Sequence, residues 1–312
     1  MAGDIVDCMF QVMEPVSCER VFEREEYLYQ VKWDGVRMLA FVQDGRVTLI
    51  NKRHHERTLQ YPELQGLPEC AAVQNAILDG EIVVFKGGKP SFPSVMSRDN
   101  LRDTARIERV QGSLPVNYMV FDLLHLDGKD LTDQPLEERQ YLLRSRIAPG
   151  AWLHLVEDFA EGISLFDSIC HLDMEGIVAK QRQGRYIGGK RHRDWFKIKY
   201  RRQTTCLVCG YTLRGTVVNS LLLGWEQNSQ LLFVGRAGSG LNSSQEEILS
   251  RYLPGQEIAQ SPFVNLSRRP AGYHFVEPVL RAEVEFAEWT EDLHLRAPVI
   301  KNISTERKDI AP

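Results

Sequence analysis

The nine residues YQVKWDGVR (29–37) set one lysine, Lys32, among aromatic, apolar and acidic neighbours. Lysine is rarely buried without a partner, so the placement is costly. A chain accepts that cost where a desolvated amine, its pKa lowered, serves as a nucleophile. Taken alone, the stretch reads more readily as a strand lysine with a covered stem and a solvated head. Residues further along change that reading. LDGE supplies Glu81, EGIVAK supplies Glu175, and WFKIK supplies Lys197 and Lys199. At i and i+2 of a strand, Lys197 and Lys199 share a face and bind phosphates together. Their charge near Lys32 would also depress its pKa. Glu81 and Glu175 offer hard oxygens of the kind magnesium takes alongside waters and phosphates. A nucleophilic amine, paired cations and metal-binding carboxylates are the parts of nucleotidyl transfer to lysine.

The elements that must hold these residues read as α+β with many antiparallel hairpins. VRMLAFVQDGRVTLINK is two strand-like runs joined at Asp44-Gly45, the strongest short-range hairpin signal. ILDGEIVVF, NYMVFDLLHL and GIVAK are further short apolar strands. One helical pattern runs from Pro135 to Arg146 behind a cap at Asp133, and another from Ile163 to Leu172. After Arg202 the texture turns almost wholly β, interrupted by SSQEEILSRYL, which opens with a Ser-x-x-Glu capping box at Ser243. Short strands with one helix suit a small closed barrel of the oligonucleotide-binding (OB) kind. The division expected is 1–202 and 203–312.

The 312 residues carry no run of about 18 apolar residues and no basic-then-apolar start, so an intracellular chain without a membrane helix is expected. Six cysteines (8, 18, 70, 170, 206 and 209) are too scattered for a disulfide framework, and Cys206-x-x-Cys209 reads as two reduced core thiols rather than half a zinc site. The net charge is −4, yet ten Lys or Arg fall between Lys180 and Arg202 with Asp194 as the only acid. Interleaved aromatics (Tyr186, Trp195, Phe196 and Tyr200) point to an ordered phosphate-binding surface.

In this order, KWDGVR, LDGE, VFDLL, EGIVAK and WFKIK resemble the nucleotidyltransferase motifs of DNA ligases, closest to the ATP-dependent ligases of bacterial type whose catalytic module also serves in end-joining repair. FVGRAGSGL, EVEFAEWT and LRAP resemble that family's barrel strands and last motif. The resemblance implies an adenylation domain of antiparallel sheets flanked by helices, then an OB-fold domain. It implies ATP and Mg²⁺ as cofactors, with Mn²⁺ as a substitute, and nicked duplex DNA as substrate, with an end-binding repair protein as a partner. A cytoplasmic, nucleoid-associated location follows. Carried over residue by residue, Lys32 takes the AMP, and Arg37 contacts the nucleotide or the 5′-phosphate. Glu81 contacts ribose or metal, Phe121 stacks on adenine, and Glu175 is the metal-side acid. Lys197 and Lys199 hold the α-phosphate, and Arg296 orients pyrophosphate. Lys52, Arg182, Arg191 and Arg193 are the expected DNA contacts.

Three positions depart from the family pattern. Gln30 stands where Glu usually receives the adenine amino group, and its amide oxygen is still able to accept. Lys52 fills the usual arginine slot with Arg53 beside it, and lysine is the poorer bidentate ligand. Ser304 fills the arginine slot after LRAP, with Arg307-Lys308 following. Rival readings are an RNA ligase or capping-type guanylyltransferase, disfavoured by WFKIK and EVEFAEWT, and a catalytically inactive nick-binding protein, disfavoured by the intact set of charges. An NAD-dependent ligase is disfavoured because only 31 residues precede Lys32.

Overall fold

The computed structural model describes residues 10–70, 73–227, 229–266, 270–290 and 292–305. Cys8, Arg307 and Lys308 lie outside the described residues. The chain divides into two compact units, 1–200 and 201–312. In the first, the elements run β1 (Glu14–Cys18), β2 (Tyr27–Val31), β3 (Val36–Gln43), β4 (Arg46–Asn51), α1 (Leu67–Cys70), β5 (Asn75–Lys86), β6 (Lys89–Pro90), α2 (Phe92–Asp99) and α3 (Thr104–Gln111). There follow β7 (Val116–Leu126), β8 (Lys129–Asp130), α4 (Leu136–Arg146), β9 (Leu153–Leu155), α5 (Gly162–His171), β10 (Gly176–Gln181) and β11 (Arg191–Lys199).

These strands make two sheets, ordered β4-β3-β5-β7-β8 and β1-β11-β10-β2. The β3–β4 hairpin turns at Asp44 and Gly45 with φ of 48° and 75°, the left-handed pair that matches the twist of the flanking strands. Alternation along β3 sends Met38, Ala40 and Val42 into the largest core cluster. Leu39 and Phe41 go to the opposite face, against Met13, Tyr186 and Trp195. Both faces of this sheet are therefore covered, which is why its strands read as nearly continuous apolar runs. The second sheet buries Tyr27, Tyr29, Ile177 and Ile198 against Leu165 and Ile169 of α5. Its other face turns towards the first sheet.

Two caps differ from the sequence reading. α4 begins after Pro135 with no side-chain cap, and Asp133 instead pairs with Arg185 at 3.5 Å. Proline supplies the start by its fixed φ and missing N–H. In the second unit the helix α6 (Ser243–Tyr252) is capped by Asn242, not Ser243, in a box with Gln245. Asn-x-x-Gln overlaps Ser-x-x-Glu by one residue, and both pairs satisfy the same rule.

The second unit is a five-stranded sheet, β14 (Gln230–Ala237), β13 (Val217–Gln227), β12 (Arg202–Arg214), β15 (His274–Phe286), β16 (Val299–Thr305) in spatial order. Hydrogen bonds from Leu295 N to Val234 O (2.8 Å) and Ile300 N to Ser239 O (2.9 Å) bring its two ends together, giving an OB-type barrel. Cys206 and Cys209 join different core clusters, since residues three apart on a strand face opposite ways. Burial pushes the Cys206 thiol up to about 12 and the Cys209 thiol up as well.

One buried ion pair anchors α4 on the first unit. Arg139 donates Nε and Nη2 to the two carboxylate oxygens of Asp122 at 2.8 and 3.0 Å, with both side chains fully buried. Removing one partner leaves the other charge unpaired in the core. Arg139→Ala should therefore lose about 3–5 kcal/mol of stability, measured by urea unfolding, against less than 1 kcal/mol for exposed Arg185→Ala.

Candidate active site

A cavity of about 620 Å³ opens between the two sheets of the first unit, a size that suits a nucleotide. Its walls include Gln30 and Lys32 from β2 and the loop after it, Glu81 from β5, Phe121 from β7, Val178 and Lys180 from β10, and Lys197 from β11. Lys52 and Arg53, in the turn after β4, line it too. That turn is held by Asn51, whose Oδ1 accepts from the Arg53 and His55 backbone N–H groups at 2.9 and 3.0 Å. The loop after Lys32 runs hard against β5. A Cβ on Gly35 would sit 2.2 Å from the Ile82 carbonyl oxygen, so only glycine fits.

Lys32 Nζ donates to Glu175 Oε2 at 2.5 Å, and Lys199 Nζ lies 2.6 Å from Glu175 Oε1. A carboxylate thus stands between Lys32 and Lys199. Burial raises the Glu175 pKa, but the two ammonium groups outweigh it and hold the carboxyl below its usual value. Backbone pairing fixes this arrangement, because Lys199 faces Gly176 in the β10–β11 register and Lys32 N donates to Gly176 O at 2.9 Å. Lys197 shares the Trp195–Lys199 face of β11, and burial, then the Lys199, Arg191 and Lys32 charges, lower its pKa.

Glu81 behaves differently. Burial pushes its carboxyl up to about 7 against the pull of Lys32 and Arg37, with Glu175 and Asp79 adding to the rise. Glu81 and Glu175 are close enough to couple, and a divalent cation between them would relieve both burial and repulsion. Among the described residues no cluster of three or more His, Cys, Asp or Glu forms a metal site. Two carboxylates plus water and phosphate oxygens fit magnesium, which seldom takes an all-protein cage.

Arg37 lines the cavity, and its guanidinium bonds Asp79 Oδ1 and Oδ2 (3.0 and 2.6 Å), the Met13 carbonyl (2.7 Å) and the Tyr186 hydroxyl (3.3 Å). Burial lowers its pKa, and Asp79, with Tyr186 and Glu81, more than reverses this. Its resting role is to tie the sheets together. Phe121 meets Trp195 edge-on, with ring centroids 6.2 Å apart.

The ten-cation block is not one surface. Lys180 is buried, Lys199 is bonded to Glu175, and Arg191 pairs with Glu14 at 3.4 Å. Arg182 donates Nε to the Glu25 carbonyl at 3.0 Å. Arg193 and Lys190 are exposed, and Arg191 and Lys52 reach both the main cavity and a second cleft beside it. Arg296 belongs to the second unit, where it pairs with Glu288. Asp79, Tyr186 and Lys180 were missed as site residues. Asp79 carried a signal within LDGE, whereas Lys180 was absorbed into a count of basic residues.

Residues 11–199 match the family described as "ATP dependent DNA ligase domain", and residues 214–307 match "ATP dependent DNA ligase C terminal region". The multifunctional non-homologous end joining protein LigD of Mycobacterium bovis is 33% identical over 91% of this chain, and the chain spans 37% of that protein's length. A solved structure of mycobacterial DNA ligase D complexed with ATP and MES is 28% identical, covers 98% of each chain and superposes with a TM-score of 0.56. The fold is also that of a structure of Lig E DNA ligases, at 16% identity and a TM-score of 0.62, over 94% of this chain and 99% of that one.

Lys180 yields a pH test. Its Nζ sits 4.3 Å from the Phe121 ring centre and 4.2 Å from that of Trp195, and burial lowers its pKa to about 8 against the raising effect of Asp122, Asp79 and Asp158. A lysine whose folded pKa is depressed burdens the fold while protonated, with a ceiling of about 3 kcal/mol. The burden is full below about pH 8 and is relieved as pH rises towards the ordinary value near 10.4. The stability of the parent protein should therefore gain on that of Lys180→Met between pH 8 and 10, in paired denaturant titrations.

Proposed function

We propose, from the premise that this chain belongs to the ATP-dependent DNA ligase family, that it seals nicks in duplex DNA through a lysyl-AMP intermediate on Lys32. The reading includes service in end-joining repair beside an end-binding protein. The observation that carries the chemistry is the Lys32–Glu175–Lys199 array, which meets the wall of the 620 Å³ cavity at Lys32.

The Lys32 amine attacks the α-phosphorus of ATP, forming a P–N bond as pyrophosphate departs and the nitrogen loses a proton. The 5′-phosphate at the nick then attacks that phosphorus, and the P–N bond breaks. Finally the 3′-hydroxyl attacks the 5′-phosphorus and AMP leaves. Lys197 and Lys199 hold the phosphoryl oxygens, where fixed cations cost no reorganisation as charge develops. Glu175 orients both amines. Phe121 and Val178 offer apolar surface to the base, and Lys52 or Arg53 a cation to phosphate. Magnesium or manganese held by Glu81 and Glu175 would supply Lewis acidity at the phosphoryl oxygens.

Lys32→Ala should abolish sealing with ATP yet retain sealing of a nick whose 5′ end is already adenylated. Glu175→Ala and Lys199→Ala should impair that last step more than Lys32→Ala does, because alignment and phosphate contacts are still needed there. Rates on pre-adenylated nicks without ATP decide between them. Normal ATP-dependent sealing by Lys32→Ala would refute the assignment, and a stronger adduct with GTP than with ATP would point to a capping-type enzyme. Binding to nicked duplex should weaken with salt, each phosphate contact adding about 0.9 to the log–log slope. With much of the basic block buried or paired, a slope of roughly 3 is expected rather than one near 9.

A further inference from the structure

Gln30 lies at the cavity wall and is almost fully buried. Its Nε2 donates to Asp158 Oδ1 at 2.6 Å. The other Asp158 oxygen accepts from Arg144 Nη2 at 2.7 Å, and Arg144 Nη1 donates to Gln140 Oε1 at 3.0 Å. Gln140 Nε2 in turn donates to the Phe121 carbonyl at 2.7 Å. Asp158 is pinned beside Gln30 by the backbone, since Tyr29 and Phe159 exchange both N–H···O bonds at 2.9 Å. One polar chain through α4 thus joins Gln30 to Phe121 across the cavity.

The chain has a direction. An ionised carboxylate only accepts and a guanidinium only donates, whereas a primary amide has one end of each kind. Facing a carboxylate, the Gln30 amide must turn its NH₂ to Asp158, which leaves its carbonyl oxygen for the cavity. A purine with a 6-amino group meets an acceptor there, and one with a 6-oxo group meets lone pairs instead. Glutamate needs no such orientation, because both its ends accept. Glutamine does.

We propose that Asp158, held by Arg144, is a positioning residue that sets nucleotide specificity by fixing the Gln30 amide so that only its acceptor end faces the base. This rests on the reading above that the ATP base sits at Gln30. The distinctive variant is Asp158→Asn, which keeps the shape. Arg144 would claim the new amide oxygen, its NH₂ would face Gln30, and the Gln30 amide would turn its own NH₂ to the cavity.

The experiment measures formation of the covalent nucleotidyl adduct by the full chain with ATP and with ITP, which carries a 6-oxo group in place of the amine. The parent protein should prefer ATP. Asp158→Asn should lower that preference about tenfold or more, the weight of one hydrogen bond, chiefly through KM for the nucleotide. Adding Gln30→Glu to Asp158→Asn should restore it, because a carboxylate accepts from Asn and still presents an acceptor to the base. An unchanged preference in Asp158→Asn overturns the proposal. So does a lost preference that Gln30→Glu fails to restore, which would mark Asp158 as only a structural support. If Gln30→Ala keeps the parent preference, or the parent does not discriminate, the base is not at Gln30 and both readings fall.

Discussion

The first unit depends on one buried charge cluster. Arg37 from β3 grips Asp79 from β5 with two hydrogen bonds, and its remaining donors reach the Met13 carbonyl and the Tyr186 hydroxyl. Tyr186 also donates to Asp79 at 2.7 Å and accepts from Met13 N at 3.1 Å. These groups come from both sides of the space between the two sheets. Charges buried this way stabilise only when every donor and acceptor is matched, so the cluster sets both the spacing and the registry of the sheets. The cavity is what that spacing leaves open on one side.

The cavity then sorts charge by depth. Lys32, Lys199 and Glu175 neutralise one another where β10 and β11 meet the loop after β2. Glu81 is the carboxyl left with an upward-shifted pKa, since burial outweighs its cationic neighbours. Glu175 restrains both Lys32 and Lys199, so these two amines are ordered without a ligand.

Beyond these contacts lies a layer that positions them. α4 reaches the core through Arg139 and the cavity through Gln140 and Arg144. A single helix therefore carries the buried anchor and the polar chain behind both Gln30 and Phe121. Coupling a structural anchor to a specificity contact in this way means that damage to the helix would be felt at the base, not only in stability.

The motifs KWDGVR, LDGE, EGIVAK and WFKIK were legible because each joins an unusual charge to a strand, and strand periodicity places i and i+2 on one face. The Asp44-Gly45 hairpin, the α5 segment and the largely β second unit were legible for similarly local reasons, whereas its last strand, β16, was not. Helices α2 and α3 were not, since each is only eight residues long, shorter than the window over which helical periodicity is read. Nor was the fate of the charges. The bonding of Arg37 to Asp79, 42 residues on, was not legible, and of the ten basic residues the structure buries Lys180 and ties Lys199 and Arg191 to carboxylates. Gln30 and Asp158 are 128 residues apart, a distance over which no local pattern reports. Sequence by itself determined which side chains are able to do chemistry and on which strands they stand. Only the tertiary structure decided which charge neutralises which, because pairing depends on distances that strand register and sheet spacing create.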